Sequence, residues 1–308
     1  MTEHDENSAL DIDASTFKRP LEVLAEVLAQ KVKREGAVLL PSPVPLPFTI
    51  HILVRQAKCT YNALFYINAD ERREKDPDWR DVYTIVTAPL VRSMIDCLYN
   101  ITAILQDRRV KGPAFCKSGF KNTFRALDAL ERRYGGRPEW DDYIKDGREK
   151  TDFKMRGLNL TKAEVDAEKS WPTLGQYLSK KPGGKITPHQ QFLETFTYGV
   201  WREYSALAHG AFEGLLDAGP YYTRDSQPHE DRPLIDASYS QVVFTHVARA
   251  AAILLCIVTE LQAYFRFDGA NINERTTKIW NTLMPVLGVK ELYDERYSQL
   301  MKSKGMIS

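Results

Sequence analysis

The chain lacks an excess of charge of either sign. Lys and Arg together number 42 and Asp and Glu 41, so the 308 residues carry a formal charge of +1 at pH 7. Proteins that attract nucleic acid through an overall positive field carry a large basic excess. The charge balance excludes that class, so any contact with nucleic acid must come from a local patch or a specific site.

Cysteine and long apolar runs are also scarce. The four cysteines, Cys59, Cys97, Cys116 and Cys256, form no CxxC pair, and we predict buried thiols in a reducing compartment. The chain begins with a polar, acidic stretch that does not resemble a signal peptide. The longest apolar run, 250–258, is far shorter than the ~20 residues that span a bilayer. We therefore expect a cytoplasmic protein without a membrane segment.

The usual cofactor motifs are missing as well. The sequence has no Walker loop, no GxGxxG and no Glu-x-x-His pair, so ATP, dinucleotide and di-iron sites have no support. The adjacent residues His229, Glu230 and Asp231 do not converge easily on one ion from a loop. We expect neither a metal nor a cofactor.

The sequence instead contains apolar residues at helical spacing along most of its length, which predicts an all-α bundle of long antiparallel helices. We divide it into an acidic flexible tail (1–16), an N-terminal helix with a long helical hairpin (17–107), a charged helical insertion (108–188), core helices (189–268) and C-terminal helices (269–308). The predicted helices cover roughly 20–36, 49–73, 79–107, 120–134, 140–150, 188–211 and 235–267. In the second half of the hairpin, Leu90, Met94, Leu98, Ile101 and Leu105 should face the core.

The predicted helix 188–211 carries Arg202 and His209 on one face, because positions seven apart differ by only about 20° in direction. Tyr198 and Ser205 flank them, and the opposite face holds Phe196, Val200, Tyr204 and Leu207 as an apolar stripe. A guanidinium can fork onto phosphate oxygens while an imidazole moves a proton near neutral pH. The pair therefore predicts a site for phosphodiester chemistry, or else a solvated helix face. A second Arg and His pair, Arg224 and His229, has four residues between its members instead of six, but Pro228 interrupts any helix there.

The stretch REYSALAH around this pair resembles the HEPN superfamily of helical-bundle domains, in which many ribonucleases carry an Arg, four to six other residues and then a His. The segment LVRSMIDCLYNI, with Y-S-x-x-x-H later in the chain, is similar to an uncharacterised bacterial HEPN-like family. The resemblance covers roughly residues 50–265, interrupted by the insertion.

This resemblance implies a metal-independent endoribonuclease that uses Arg202 and His209 at a site shared by two protomers, as in toxin–antitoxin or anti-phage systems. The alternative is a catalytically inactive domain that binds a nucleotide, RNA or a protein partner from the same operon. Asp96 and Arg92, one turn apart on a neighbouring helix, would support the pair by orienting His209 or pairing with Arg202. They could equally form an exposed ion pair of little energetic value.

Two further features allow either a functional or a structural interpretation. Residues 108–156 hold fourteen Lys or Arg against eight Asp or Glu, and the stretches 145–156 and 180–185 could hold RNA phosphates while Phe153 or Trp171 stacks a base. A solvated surface is the alternative. His246 lies among apolar residues, where a hydrogen-bonded core histidine is the usual interpretation. The alternative is that His246 approaches the Arg202 and His209 site.

Overall fold

The computed structural model describes residues 17–39, 46–68, 77–180, 184–209, 214, 219–221, 223–265, 270–286 and 288–305. Within these ranges the regular secondary structure is helical and includes no strand, as the sequence predicts. The longer helices are α1 (Lys18–Leu39), α2 (Leu46–Asn68), α3 (Pro77–Gln106), α4 (Arg108–Tyr134), α5 (Pro138–Gly157), α9 (Gly199–Ala208), α10 (Arg232–Phe265) and α11 (Ala270–Leu283). The short ones are α6 (Lys162–Ala167), α7 (Leu174–Ser179), α8 (Pro188–Leu193), α12 (Val289–Leu292) and α13 (Ser298–Ser303). The predicted tail, 1–16, and part of the 180–185 loop lie outside the described residues.

Helices α1, α2, α3 and α10 form the main bundle. Helices α1 and α2 are antiparallel, since Asn62 contacts Glu22 near one end of the pair and His51 contacts the Ala29 carbonyl toward the other. Helices α3 and α10 run in the same direction, because Tyr83 bonds to the Val243 carbonyl and, one turn further along both helices, Thr87 contacts His246. The prediction of antiparallel helices therefore holds for α1 and α2 but not for α3 and α10, which the insertion and α7–α9 separate along the chain.

The core faces follow the predicted periodicity. Met94, Leu98, Ile101 and Leu105 are buried in α3, and Leu90 is half-buried. The apolar run 250–258 is buried throughout. Helix α10 is long and apolar enough to cross a membrane by length and composition, but 78% of its most apolar stretch is buried inside the protein. It is the central helix of the bundle.

The insertion contains much longer helices than the sequence predicts. Helix α4 begins directly after α3, with the Asp107 side chain accepting a hydrogen bond from the Val110 N–H. It forms a hairpin with α5, where the two helices approach so closely at Gly147 that a Cβ there would lie 2.8 Å from Leu127 Cδ2. The hairpin has a small core of its own, made of Phe124, Met155, Leu160 and Val165.

The chain returns from this hairpin to the bundle through three short helices, each of which begins with a capping box. Thr161, Thr173 and Thr187 each cap a helix, and a Glu or Gln three residues later bonds back to the capping residue. This reciprocal bonding satisfies two backbone N–H groups that a helix start leaves open. The motifs explain why α6, α7 and α8 begin where they do.

Three further predictions were wrong in detail. Helix α1 continues through Gly36 to Leu39 rather than ending at the glycine. The single helix predicted for 188–211 is instead α8, a π-helical turn over Glu194–Tyr198, and α9. Cys59 is exposed, because its position on α2 faces away from α1 and α3, and Cys116 is only partly buried, whereas Cys97 and Cys256 are buried as expected.

Candidate functional site

The Arg202 and His209 side chains project from α9 and its final turn, and both are exposed. The His209 N–H bonds to the Ser205 carbonyl at 3.0 Å, so helical geometry extends as far as this histidine. Seven residues of regular helix therefore place both side chains on one face. Neither side chain bonds to any residue that the structure describes. Both are accessible to a ligand.

The opposite face of α9 holds the helix in place. Tyr204 is buried, its ring meets His246 edge-on at 5.0 Å, and its hydroxyl accepts a hydrogen bond from Arg249 Nη1 at 3.1 Å. Arg249 also pairs with Glu203 at 3.2 Å. These contacts fix α9 against α10, so the orientation of the exposed face is set by a packed tyrosine and an ion pair beside it.

The predicted supporting residues Arg92 and Asp96 do not contact Arg202 or His209. Both contact Trp201, the residue just before Arg202: Trp201 Nε1 donates to Asp96 Oδ1 at 3.2 Å, and Arg92 Cζ lies 5.5 Å from the indole centroid. Positions 201 and 202 differ by 100° around a helix, so one residue faces α3 while the next faces outward. The exposed ion pair considered from the sequence is not formed either, because no Arg92 nitrogen lies within 4 Å of an Asp96 oxygen.

The other two predicted supporting residues are less informative. Ser205 is half-buried, and its Oγ is enclosed without a hydrogen-bond partner. It lies between the directions of Trp201 and Arg202 on the helix. The Tyr198 side chain lies outside the described residues; its backbone belongs to the π-helical turn.

Asp96 is a titratable group that this arrangement perturbs. Burial raises the pKa of its carboxyl above the usual value, and the nearby Arg92 charge and the Trp201 hydrogen bond only partly offset that effect. The ionised form is thus held in a position where water solvates it poorly. A half-buried acid with a raised pKa beside a cavity is a common feature of binding and catalytic sites.

Arg92, Asp96 and Trp201 line a cleft of about 1050 Å³ between the bundle and the insertion. One wall comes from α2 and α3, and the other from α4, α5 and the segment leading into α7. The aromatic and large aliphatic side chains that line it are Phe48, Ile52, Leu53, Tyr99, Phe115, Phe120, Phe153, Leu158, Trp171, Leu174 and Trp201. Arg202, Ser205 and His209 are not among the lining residues.

Trp171 joins the two walls. Its Nε1 donates to Asn100 Oδ1 at 2.9 Å, its backbone N–H donates to Ser118 Oγ at 2.6 Å, and its ring packs against Tyr99 and edge-on against Phe115. The two aromatic residues that the sequence suggested for stacking, Trp171 and Phe153, both line the cleft. Phe153 is 73% exposed, an unusual position for so large an apolar ring.

Sequence reasoning missed Trp201 and assigned no role to Asn100. Trp201 belongs to neither the apolar stripe nor the Arg and His stripe of its helix. Asn100 shares a face of α3 with Arg92 and Asp96 by its spacing, which assigns it no role. A helical projection could have shown Trp201 bordering the polar face. Nothing local indicates that residue 171, which is 71 positions further along the chain, covers Asn100.

Several of the remaining sequence candidates form contacts within the fold. His246 is a core histidine, with its Nδ1 2.9 Å from Thr87 Oγ1, and burial lowers its pKa to about 3. Arg224 starts a short 3₁₀ turn and pairs with Asp236, so the second Arg and His spacing does not lie on a continuous helix. His229 lies on an exposed turn. Within the basic stretch 145–156, Arg148 pairs with Asp128 and Glu131.

We compared the chain with protein-family models, with curated proteins and with solved structures, and none of them matches it.

Proposed function

We propose that this chain is a HEPN-type protein that binds RNA at the exposed α9 face and cleaves it without a metal ion. The observation that supports this proposal is the joint exposure of Arg202 and His209 on one face of a helix that the core holds rigidly. Neither side chain bonds to a described residue, so both are free to bind a phosphodiester. The proposal places the protein in the cytoplasm.

The residues fit one chemical step. His209 takes the proton from a ribose 2′-hydroxyl, the 2′-oxygen bonds to phosphorus, and the bond from phosphorus to the 5′-oxygen breaks. Arg202 binds the phosphoryl oxygens, on which negative charge accumulates. The departing 5′-oxygen takes a proton, and the product carries a 2′,3′-cyclic phosphate. In a homodimer, His209 of the partner subunit supplies that proton.

Cleavage assays on purified protein test this step. The native chain, Arg202→Ala and His209→Ala are incubated with RNA in EDTA, together with His229→Ala and Arg275→Ala, which remove an exposed histidine and an exposed arginine elsewhere. We expect the first two variants to lose at least about 100-fold in rate, while the two controls retain it. Equal cleavage by all five proteins, or none by the native chain, contradicts the proposal.

The second function is RNA or nucleotide binding without catalysis, in a complex with a protein encoded beside this one. The specific observation that favours it is that Asp96 bonds to Trp201 and not to His209, so no described residue orients the imidazole. Filter binding with the same five proteins separates the two functions. Retention of RNA that Arg202→Ala weakens, without cleavage by the native chain, supports the binding function.

A further inference from the structure

Large apolar side chains, of a kind that most proteins bury, lie exposed at the opening of the cleft. Phe48 and Ile52 on α2 are 55% and 46% exposed, and Phe153 on α5 is 73% exposed. All three line the same opening, from opposite walls. Isolated exposed apolar residues need no explanation, but a group of them around a cavity is typical of a ligand site.

The floor of the cleft carries a short polar row on α3. Arg92, Asp96 and Asn100 follow one another at intervals of four residues, which brings neighbouring Cβ atoms to about 5–6 Å. The protein uses one atom each of Asp96 and Asn100, since Asp96 Oδ1 accepts from Trp201 and Asn100 Oδ1 accepts from Trp171. The second carboxylate oxygen and the amide Nδ2 bond to none of the described residues.

Arg92 does not add an accessible donor to this row through its Nε. That atom is shielded from solvent and bonds to no described acceptor, so a ligand in the cleft does not reach it. The formal charges of Arg92 and Asp96 cancel, so the floor favours neither a cation nor an anion; the other charged lining residue, Lys154, lies on α5 in the opposite wall.

We propose that this cleft binds an uncharged, flat, largely apolar molecule that carries an N–H group beside a carbonyl, as in a lactam fused to aromatic rings. The N–H donates to Asp96, and the carbonyl accepts from Asn100 Nδ2. The rings lie between the indoles of Trp171 and Trp201, with Phe153 over the opening. The volume of about 1050 Å³ exceeds what three fused rings need. This proposal is independent of the one for RNA.

Calorimetric titration of the full native chain with 6(5H)-phenanthridinone and with its N-methyl derivative tests the inference. The two probes share their rings and carbonyl, but only the first has the N–H that Asp96 accepts. A hydrogen bond to a charged group contributes about 1.5–3 kcal/mol, so we expect the parent compound to bind at least tenfold more tightly. Equal affinities, or no binding of either compound up to its solubility limit, overturn the proposal.

Two variants locate the binding site. Asp96→Asn keeps an oxygen for the Trp201 bond but removes the charge, and Asn100→Asp keeps the oxygen that Trp171 uses but removes the Nδ2 donor. Each should weaken the parent compound about tenfold, whereas Asp142→Asn, an exposed acid on α5 outside the cleft, should not. Circular dichroism confirms that each variant is folded. Unchanged affinity in both folded cleft variants also overturns the proposal, and the comparison of the two probes on the native chain needs no variant at all.

Discussion

The two indole hydrogen bonds at the floor of the cleft allow a charged acceptor to be compared with a neutral one. Trp201 donates to a carboxylate at 3.2 Å, and Trp171 donates to a neutral amide at 2.9 Å. Both acceptors lie on α3, one turn apart, and both tryptophans are half-buried. Replacing each with Phe keeps a six-membered aromatic ring and removes the five-membered ring that carries the N–H. Both variants lose the same atoms, so they differ mainly in the charge of the acceptor left behind.

The expected losses in the free energy of unfolding differ at neutral pH. A hydrogen bond to a charged group contributes about 1.5–3 kcal/mol and a neutral one about 1 kcal/mol. Because the Trp201 bond is relatively long, we expect the lower end, about 1.5 kcal/mol, for Trp201→Phe and about 1 kcal/mol for Trp171→Phe, each added to a similar loss of ring contacts. Urea unfolding followed by circular dichroism measures both.

The pH dependence separates the two bonds more sharply than the magnitudes do. Burial already raises the pKa of Asp96 in the folded protein, so ionisation of this group destabilises the fold as the pH rises through that pKa. The Trp201 bond opposes this effect, and its loss raises the pKa further. The cost of Trp201→Phe should therefore shrink as the pH is lowered and Asp96 becomes protonated, while that of Trp171→Phe stays constant. If Trp201→Phe lowers the free energy of unfolding by the same amount at low pH as at neutral pH, the reasoning is refuted.

Three other predictions follow from buried or exposed groups. Arg296 Nε bonds to the buried Glu260 Oε1 at 2.6 Å. Arg296→Met should lower the free energy of unfolding in urea by about 3–5 kcal/mol, because it leaves the carboxylate uncompensated. A second change, Glu260→Met, should recover most of that loss. Burial lowers the pKa of both His246 and His189 to about 3. Because the pKa in the unfolded chain is near 6.5, the folded state should lose stability as the pH falls below about 6.5. His246→Gln should therefore flatten the decline of the melting temperature with falling pH. Cys59 should react first with a thiol reagent in the native chain, and Cys59→Ser should remove that fast phase while leaving the reaction of the buried thiols, which requires unfolding.

Helical periodicity predicts the faces of individual helices well. Met94, Leu98 and Tyr204 are buried as their spacing predicts, because an apolar stripe must be covered by something. The exposed face of Arg202 and His209 follows from the same reasoning. What periodicity does not determine is which segment covers a mixed face. The polar row on α3 looks solvent-exposed from its own helix, yet Tyr99 beside it is 2% exposed because the segment around Trp171 folds over it.

The insertion illustrates the same limit at a larger scale. Its charged sequence predicts short helices and a mobile loop, but α4 and α5 form a long hairpin with a separate small core. Long helices with a polar surface need only a narrow apolar stripe, here Phe124, Leu127 and Met155, and such a stripe is easily missed among many charges. The cleft exists because this hairpin stands beside α2 and α3, which is a long-range property of the chain.

The position of Asp96 has a consequence that tests whether the cleft is a functional site. Because burial outweighs both Arg92 and Trp201 in setting its pKa, the ionised carboxyl destabilises the folded protein at neutral pH. Asp96→Asn keeps the acceptor for Trp201 and removes the charge, so this variant should unfold at a higher urea concentration than the native chain at pH 7, and the difference should disappear as the pH is lowered. The same variant should bind the lactam more weakly. A residue that lowers stability but increases ligand affinity is retained for binding rather than for folding. If Asp96→Asn is instead less stable at pH 7, the carboxylate holds α3 and α9 together, and the argument for a ligand at this position loses its main support.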